Sequence, residues 1–161
     1  VLYERAFLAS AVSQGENIMS PEENKAQARR AFDEFINKKN LAEASKYIAP
    51  NYVGHFSNAP LVQGVAGFQQ YLSAWNSAVP DSQVTIDDVV AEGDKVVMRV
   101  TYRGTHTGPL QNIPPTGKSI AVSGINIFRL VDGLAVEQWA VIDDLGMMQQ
   151  LGLIPAPQAV P

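Results

Sequence analysis

The chain has 161 residues, a formal net charge of −4 and no cysteine. That length suits one domain with a sizeable core, and the mild negative charge sets up a field that repels phosphates, against nucleic-acid and anionic-membrane partners. Disulfides, thiolate nucleophiles and Cys-ligated zinc are excluded; no apolar run approaches the ~20 residues that span a bilayer, so a soluble, cytoplasmic protein is expected.

Residues 1–18 read as an N-terminal extension of unassigned role, apolar near its start but interrupted by Glu4 and Arg5. A single domain is predicted over 19–153, followed by a mobile Pro- and Ala-rich tail over 154–161. The domain opens with Ser20, Pro21 and Glu23 at the spacing of a capping box with proline at the first helical position. Ala28, Ala31, Phe32, Phe35 and Ile36 then fall on one helical stripe. A second, short helix is expected from Asn40, with Leu41, Ala44 and Ile48 at helical spacing until Pro50 ends it. Residues 51–60, which contain Tyr52, His55 and Phe56, read as a loop or short strand whose aromatic and polar tips suit either ligand contact or packing.

A third helix is predicted over Gly64 to Ala78. Its Phe68, Tyr71, Leu72 and Trp75 follow the i, i+3, i+4, i+7 pattern of a core stripe, which in a hollow fold would be a pocket wall. After Pro80 the period changes to two. Val84 and Ile86 alternate with polar residues, Glu92 to Lys95 supply a hairpin turn, and Val96, Met98, Val100 and Tyr102 share one face of the next strand. The proline-bearing stretch from Gly108 to Gly117 is a stiff loop whose Leu110 and Ile113 are expected to close over a cavity.

Ser119 to Leu130 form a long strand that sets the amide of Asn126 on the face of Val122, Gly124 and Phe128. Val131 to Gly133 turn the chain into a last strand ending near Ile142. Two carboxylates, Asp143 and Asp144, then stand where that strand hands over to a helix spanning Leu145 to Leu151. One carboxylate suffices to cap the helix; a second among Trp139, Val141, Ile142, Met147 and Met148 could be desolvated and act as an acid or base. Gln138 and Asp143 are an odd number of residues apart, so without a bulge they face opposite sides of the strand. The element order implies α+β architecture.

Several ordered segments together resemble the SnoaL-like polyketide cyclase branch of the NTF2-like superfamily. They are Gly104-Thr105-His106-Thr107-Gly108, Ile113 to Lys118, Gly124 to Arg129, and Glu137-Gln138-Trp139 followed by Asp143 to Gly152. The resemblance covers roughly Pro21 to Leu153. It implies an NTF2-like cone, in which a curved antiparallel sheet with a mixed edge is covered by three N-terminal helices around a pocket, and a short C-terminal helix follows. It further implies a cyclase without cofactor that performs an intramolecular aldol reaction on an apolar polyketide-like ligand, in a homodimer or larger homo-oligomer; the two histidines, with no short metal-ligand spacing, argue separately against a zinc or iron site. The general acid/base of the family carries over to Asp143, which leaves Asp144 as the cap. His55 and His106 match histidines frequent in the branch.

On this reading Asp143 abstracts the acidic proton and His55, His106 or Tyr52 donates to the developing oxyanion. Trp75, Asn126, Phe128, Trp139 and Met148 join Tyr52 in contacting the substrate. An isomerase, dehydratase or epoxide hydrolase on the same scaffold would use similar parts. The chain departs from the branch at Asn126, where an aspartate is frequent, and at Gln138, where a histidine is frequent. Neither amide exchanges protons near neutral pH, and both favour the rival expectation of a non-catalytic small-molecule binder or assembly module.

Overall fold

The computed structural model describes residues 19–155; the extension over 1–18 and residues 156–161 of the tail lie outside the described residues. Helix α1 (Pro21–Phe32) begins with the anticipated capping box. The Ser20 N–H donates to Glu23 Oε2 at 2.8 Å and the Glu23 N–H to Ser20 Oγ at 3.3 Å, so two otherwise orphaned groups satisfy each other. A π-helical turn (Asp33–Asn37) extends it. Ala28, Phe32, Phe35 and Ile36 are buried, as their spacing requires.

The second helix is shorter than expected. It is a 3-10 segment (Leu41–Lys46), and Ile48 belongs to a nine-residue strand, β1 (Ile48–Phe56), rather than to a helix that Pro50 ends. Pro50 is tolerated because the pairing of β1 with its neighbour slips between Ile48 and Val53, where a missing N–H costs no ladder bond. Strand β2 (Val62–Gln63) and helix α2 (Gly64–Ala78) follow, the helix with the predicted bounds.

The remaining strands are β3 (Gln83–Glu92), β4 (Lys95–Thr105), β5 (Ser119–Val131) and β6 (Leu134–Ile142), and helix α3 (Asp144–Gln150) closes the domain. They form a six-stranded sheet in the order β2-β1-β6-β5-β4-β3. Among the described strands only β1 against β6 runs parallel; β3 to β6 are the expected antiparallel meander. This is α+β architecture with a curved sheet, as anticipated, but β1 inserts into the sheet before α2.

The sheet's buried face follows the period-two pattern along β4 and β5. In β6 an irregularity opposite Arg129 and Leu130 shifts the parity, so Ala135 and Gln138 both turn inward. The main core lies between this face and helices α1 and α2. Phe32 meets Phe128, Phe35 meets Phe68, and Tyr52 meets Phe68 edge-on at ring separations of 5.0–5.6 Å, an arrangement worth about 0.5–1.5 kcal/mol per pair beyond area burial. A second cluster of Ala78, Val79, Ile120, Val122, Met147 and Leu151 anchors α3. Leu110 packs against that second cluster and pairs with Ile113 across a tight bridge, so this loop does not close over the main cavity as expected.

Candidate functional site

Between the sheet's inner face and helices α1 and α2 lies a cavity of about 80 Å³. That is several times the roughly 10–15 Å³ that admits one water. Its walls are built by the periodicities already described. The helices supply Phe32, Phe35, Phe68, Tyr71, Leu72 and Trp75, and the strands supply Phe56, Tyr102, Phe128 and Ala140. Among the described residues, no carboxylate, imidazole, amine or guanidinium lines the cavity.

Four polar side chains at the cavity form a directed chain of neutral groups. Tyr52 O–H donates to Gln138 Oε1 at 2.7 Å, Gln138 Nε2–H to Asn126 Oδ1 at 3.0 Å, and Asn126 Nδ2–H to the Tyr102 hydroxyl at 3.4 Å. Asn126 and Gln138 are 2% and 4% exposed, so these bonds replace water that the amides cannot reach. Burial pushes the Tyr102 phenol up to about 12, despite the opposing Asn126 N–H, and raises the Tyr52 and Tyr71 phenols as well. Desolvation disfavours the charged phenolate, so each of these three tyrosines stays protonated at neutral pH.

Asp143 stands elsewhere. It is exposed, and its Oδ1 accepts the Gly146 N–H at 2.8 Å as the N-cap of α3. The roles expected of the two acids are therefore exchanged with respect to capping. Asp144 accepts from Ser57 Oγ at 2.9 Å and from Asn58 Nδ2 at 3.3 Å, and Asn58, which lines the cavity, accepts from Tyr71 O–H at 3.3 Å. The parity expectation holds: β6 pairs without a slip from Glu137 to Ile142, Gln138 faces the cavity and Asp143 the opposite side.

The histidines do not reach the cavity either. His55 stacks on Trp139 with rings 5.5 Å apart and 7° from parallel, outside the cavity lining. Its Nε2 is 3.1 Å from Glu137 Oε1, and Arg129 approaches the other oxygen of the same carboxylate at 3.3 Å. The His55 hydrogen bond, with help from Arg129, holds the Glu137 carboxyl below its ordinary range. His106 is fully buried, its Nδ1 accepting the Thr116 N–H at 3.3 Å. Met148 packs with the second cluster.

Of the residues singled out from sequence, Trp75, Asn126 and Phe128 line the cavity, and Tyr52 sits one hydrogen bond behind it. Tyr102, Gln138 and Asn58 were not among the expected contacts, whereas Tyr71 belongs to the stripe expected as a pocket wall. Tyr102 was legible as a member of an inward β4 face, but nothing local marks Asn58. Among the described residues, no group of three or more His, Asp or Glu side chains lies close enough to hold a metal ion.

A family model for the SnoaL-like polyketide cyclases matches residues 26–151. A solved structure of a proposed SnoaL-like polyketide cyclase from Jannaschia sp. CCS1 superposes with a TM-score of 0.78 at 23% identity, covering 89% of this chain and 99% of that one. AclR from Streptomyces galilaeus, a proposed hydroxylase, gives 0.77 at 28% identity, covering 87% of each chain. TsrD from Streptomyces laurentii gives 0.75 at 30% identity over 84% of this chain and 99% of that one. No curated protein sequence matches the chain.

Proposed function

The chain belongs to the SnoaL-like polyketide cyclase family, and from that premise we propose that it binds a polyketide-like, largely apolar carbonyl compound in the cavity between α1, α2 and the sheet. The observation that carries this reading is a cavity walled by aromatic and aliphatic side chains whose polar groups are all neutral. Such a site favours uncharged, mostly apolar guests, because a charged guest would lose its hydration without gaining a counter-charge. Exposed Val90, Ile125, Val141 and Leu145 support association between copies through the outer side of the sheet.

Isothermal titration with bicyclic aromatic ketones tests the reading. We expect saturable binding to the wild-type protein, and loss of it in Ala140→Phe, which fills the cavity from β6 while leaving the far-UV circular dichroism spectrum intact. Binding that survives in Ala140→Phe would move the ligand elsewhere.

A second reading is acid/base catalysis by an aspartate, the chemistry expected of the family. The carboxylate it points to is Asp144 rather than Asp143, because the Asp144 side chain hydrogen-bonds a cavity-lining residue, Asn58, which in turn receives the Tyr71 hydroxyl, whereas the Asp143 side chain accepts from Gly146. Under this reading an activated β-ketoester is turned over by the wild type and by Asp143→Asn but not by Asp144→Asn. Loss of turnover in Asp143→Asn alone would return the role to the exposed acid.

A further inference from the structure

The directed hydrogen-bond chain leaves one kind of valence unused. Gln138 and Asn126 each commit a single N–H, to Asn126 Oδ1 and to the Tyr102 oxygen respectively, and the Tyr102 hydroxyl, having accepted, donates to no group among the described residues. One further N–H on each amide and the Tyr102 O–H are thus free, and all three residues line the cavity. Trp75, whose ring meets Tyr102 edge-on at 6.1 Å, adds a buried Nε1–H that has no acceptor among the described residues. Buried donors without acceptors are uncommon because each forfeits its bond to water. Here four stand in one region, with no cation or anion among the lining groups.

Resting on the cavity-binding reading, we propose that the ligand is anchored by an acceptor oxygen, a ketone or quinone carbonyl, gripped by Tyr102 O–H together with the free amide N–H groups of Asn126 and Gln138, with the Trp75 indole N–H beside them. A carbonyl oxygen offers two lone pairs and brings no donor of its own, so it answers a set of donors without adding an unmatched proton. An amine ligand would arrive as a cation with hydrogens facing hydrogens. The same donors would strengthen their hold as negative charge develops on the oxygen, so the anchor favours the enolate of a bound ketone over its neutral form.

The test compares three ligands of one shape: 1-indanone, indane, which lacks the oxygen, and 1-aminoindane, which is cationic at neutral pH. Calorimetric titration of the wild-type protein should give indanone the lowest Kd, roughly tenfold below indane, as one to two net hydrogen bonds provide, and aminoindane the highest. Tyr102→Phe should remove roughly fivefold of the ketone's advantage while leaving the indane Kd within about twofold, which shows that the variant is folded and its cavity intact. Trp75→Phe should reduce the same advantage, and the carbonyl stretch of bound indanone should lie at lower frequency in the wild type than in either variant. Equal affinity for indanone and indane in the wild type, or an advantage that Tyr102→Phe leaves intact, overturns the anchor while cavity binding stands. Failure of indane and indanone alike to bind the wild type overturns both.

Discussion

At the scale of single residues, the two adjacent acids after β6 separate by geometry. Asp143 spends its carboxylate on the Gly146 N–H, and Asp144 reaches Ser57 and Asn58. Asp143→Ala should therefore lower stability by about 1 kcal/mol, the usual cost of a lost N-cap, seen as a reduced urea midpoint with an unchanged slope, while ketone affinity stays at the wild-type value. The dipeptide itself did not distinguish the two, since both acids suit a helix start and only the path of the chain decides which oxygen meets the N–H. Glu137 gives a pH prediction. Its carboxyl is held below the ordinary range chiefly by the His55 hydrogen bond and further by Arg129. A depressed folded-state pKa means that its contribution is complete above the unfolded value near ~4.3 and is lost as pH falls through the folded value. In urea titrations between neutral pH and acid, Glu137→Gln should show a shallower decline below pH ~4.3 than the wild type, and superimposable profiles would show that the cluster does not contribute.

At the scale of elements, hydrophobic period and turn chemistry were dependable where an element is set by its own residues. The capping box before α1, the bounds of α2 and both hairpin turns stand as their sequences required. The turn after β5 places Asp132 at φ 50° and Gly133 at φ 77°, the paired left-handed conformation of a two-residue hairpin loop. Gly133→Val puts a β-branched side chain into that conformation and should destabilise the protein by about 1–2 kcal/mol, read from thermal unfolding, with the cavity's ligand affinity retained. The stretch misjudged was Ile48 to Pro50, expected as the end of a helix; residues 51–60 were read as a loop or short strand, and 51–56 are strand. Ile48 lies at helical spacing from Leu41 and Ala44, and Pro50 looks like a stop. The strand forms because β6 offers a parallel partner far away in sequence, a pairing that no local pattern records.

At the scale of the whole molecule, the sheet has two unlike faces. The inner one carries the core and the cavity; the outer one exposes Ile125 and Val141 at 51% and 66%, with Leu145 at 63% beside them on α3. Three large apolar side chains near one another on strands β5 and β6 and the start of α3 suit burial against a second copy of the same surface. Sedimentation equilibrium should find an oligomer for the wild type and a monomer for an Ile125→Lys, Val141→Lys double variant; a wild-type monomer at micromolar concentration would remove association through this face. The sequence alone determined the α+β order, most element bounds, the inward stripe of α2 and the opposite facing of Gln138 and Asp143, because each depends on a period of 3.6 or 2 within one element. Only the tertiary structure decided that His55, Trp139 and Asp143 stand outside the cavity and that Tyr102, Gln138 and Asn58 border it. Such placement depends on the parity shift in β6, the parallel seating of β1 and the exit of the chain into α3, and these are settled between elements that are distant in sequence.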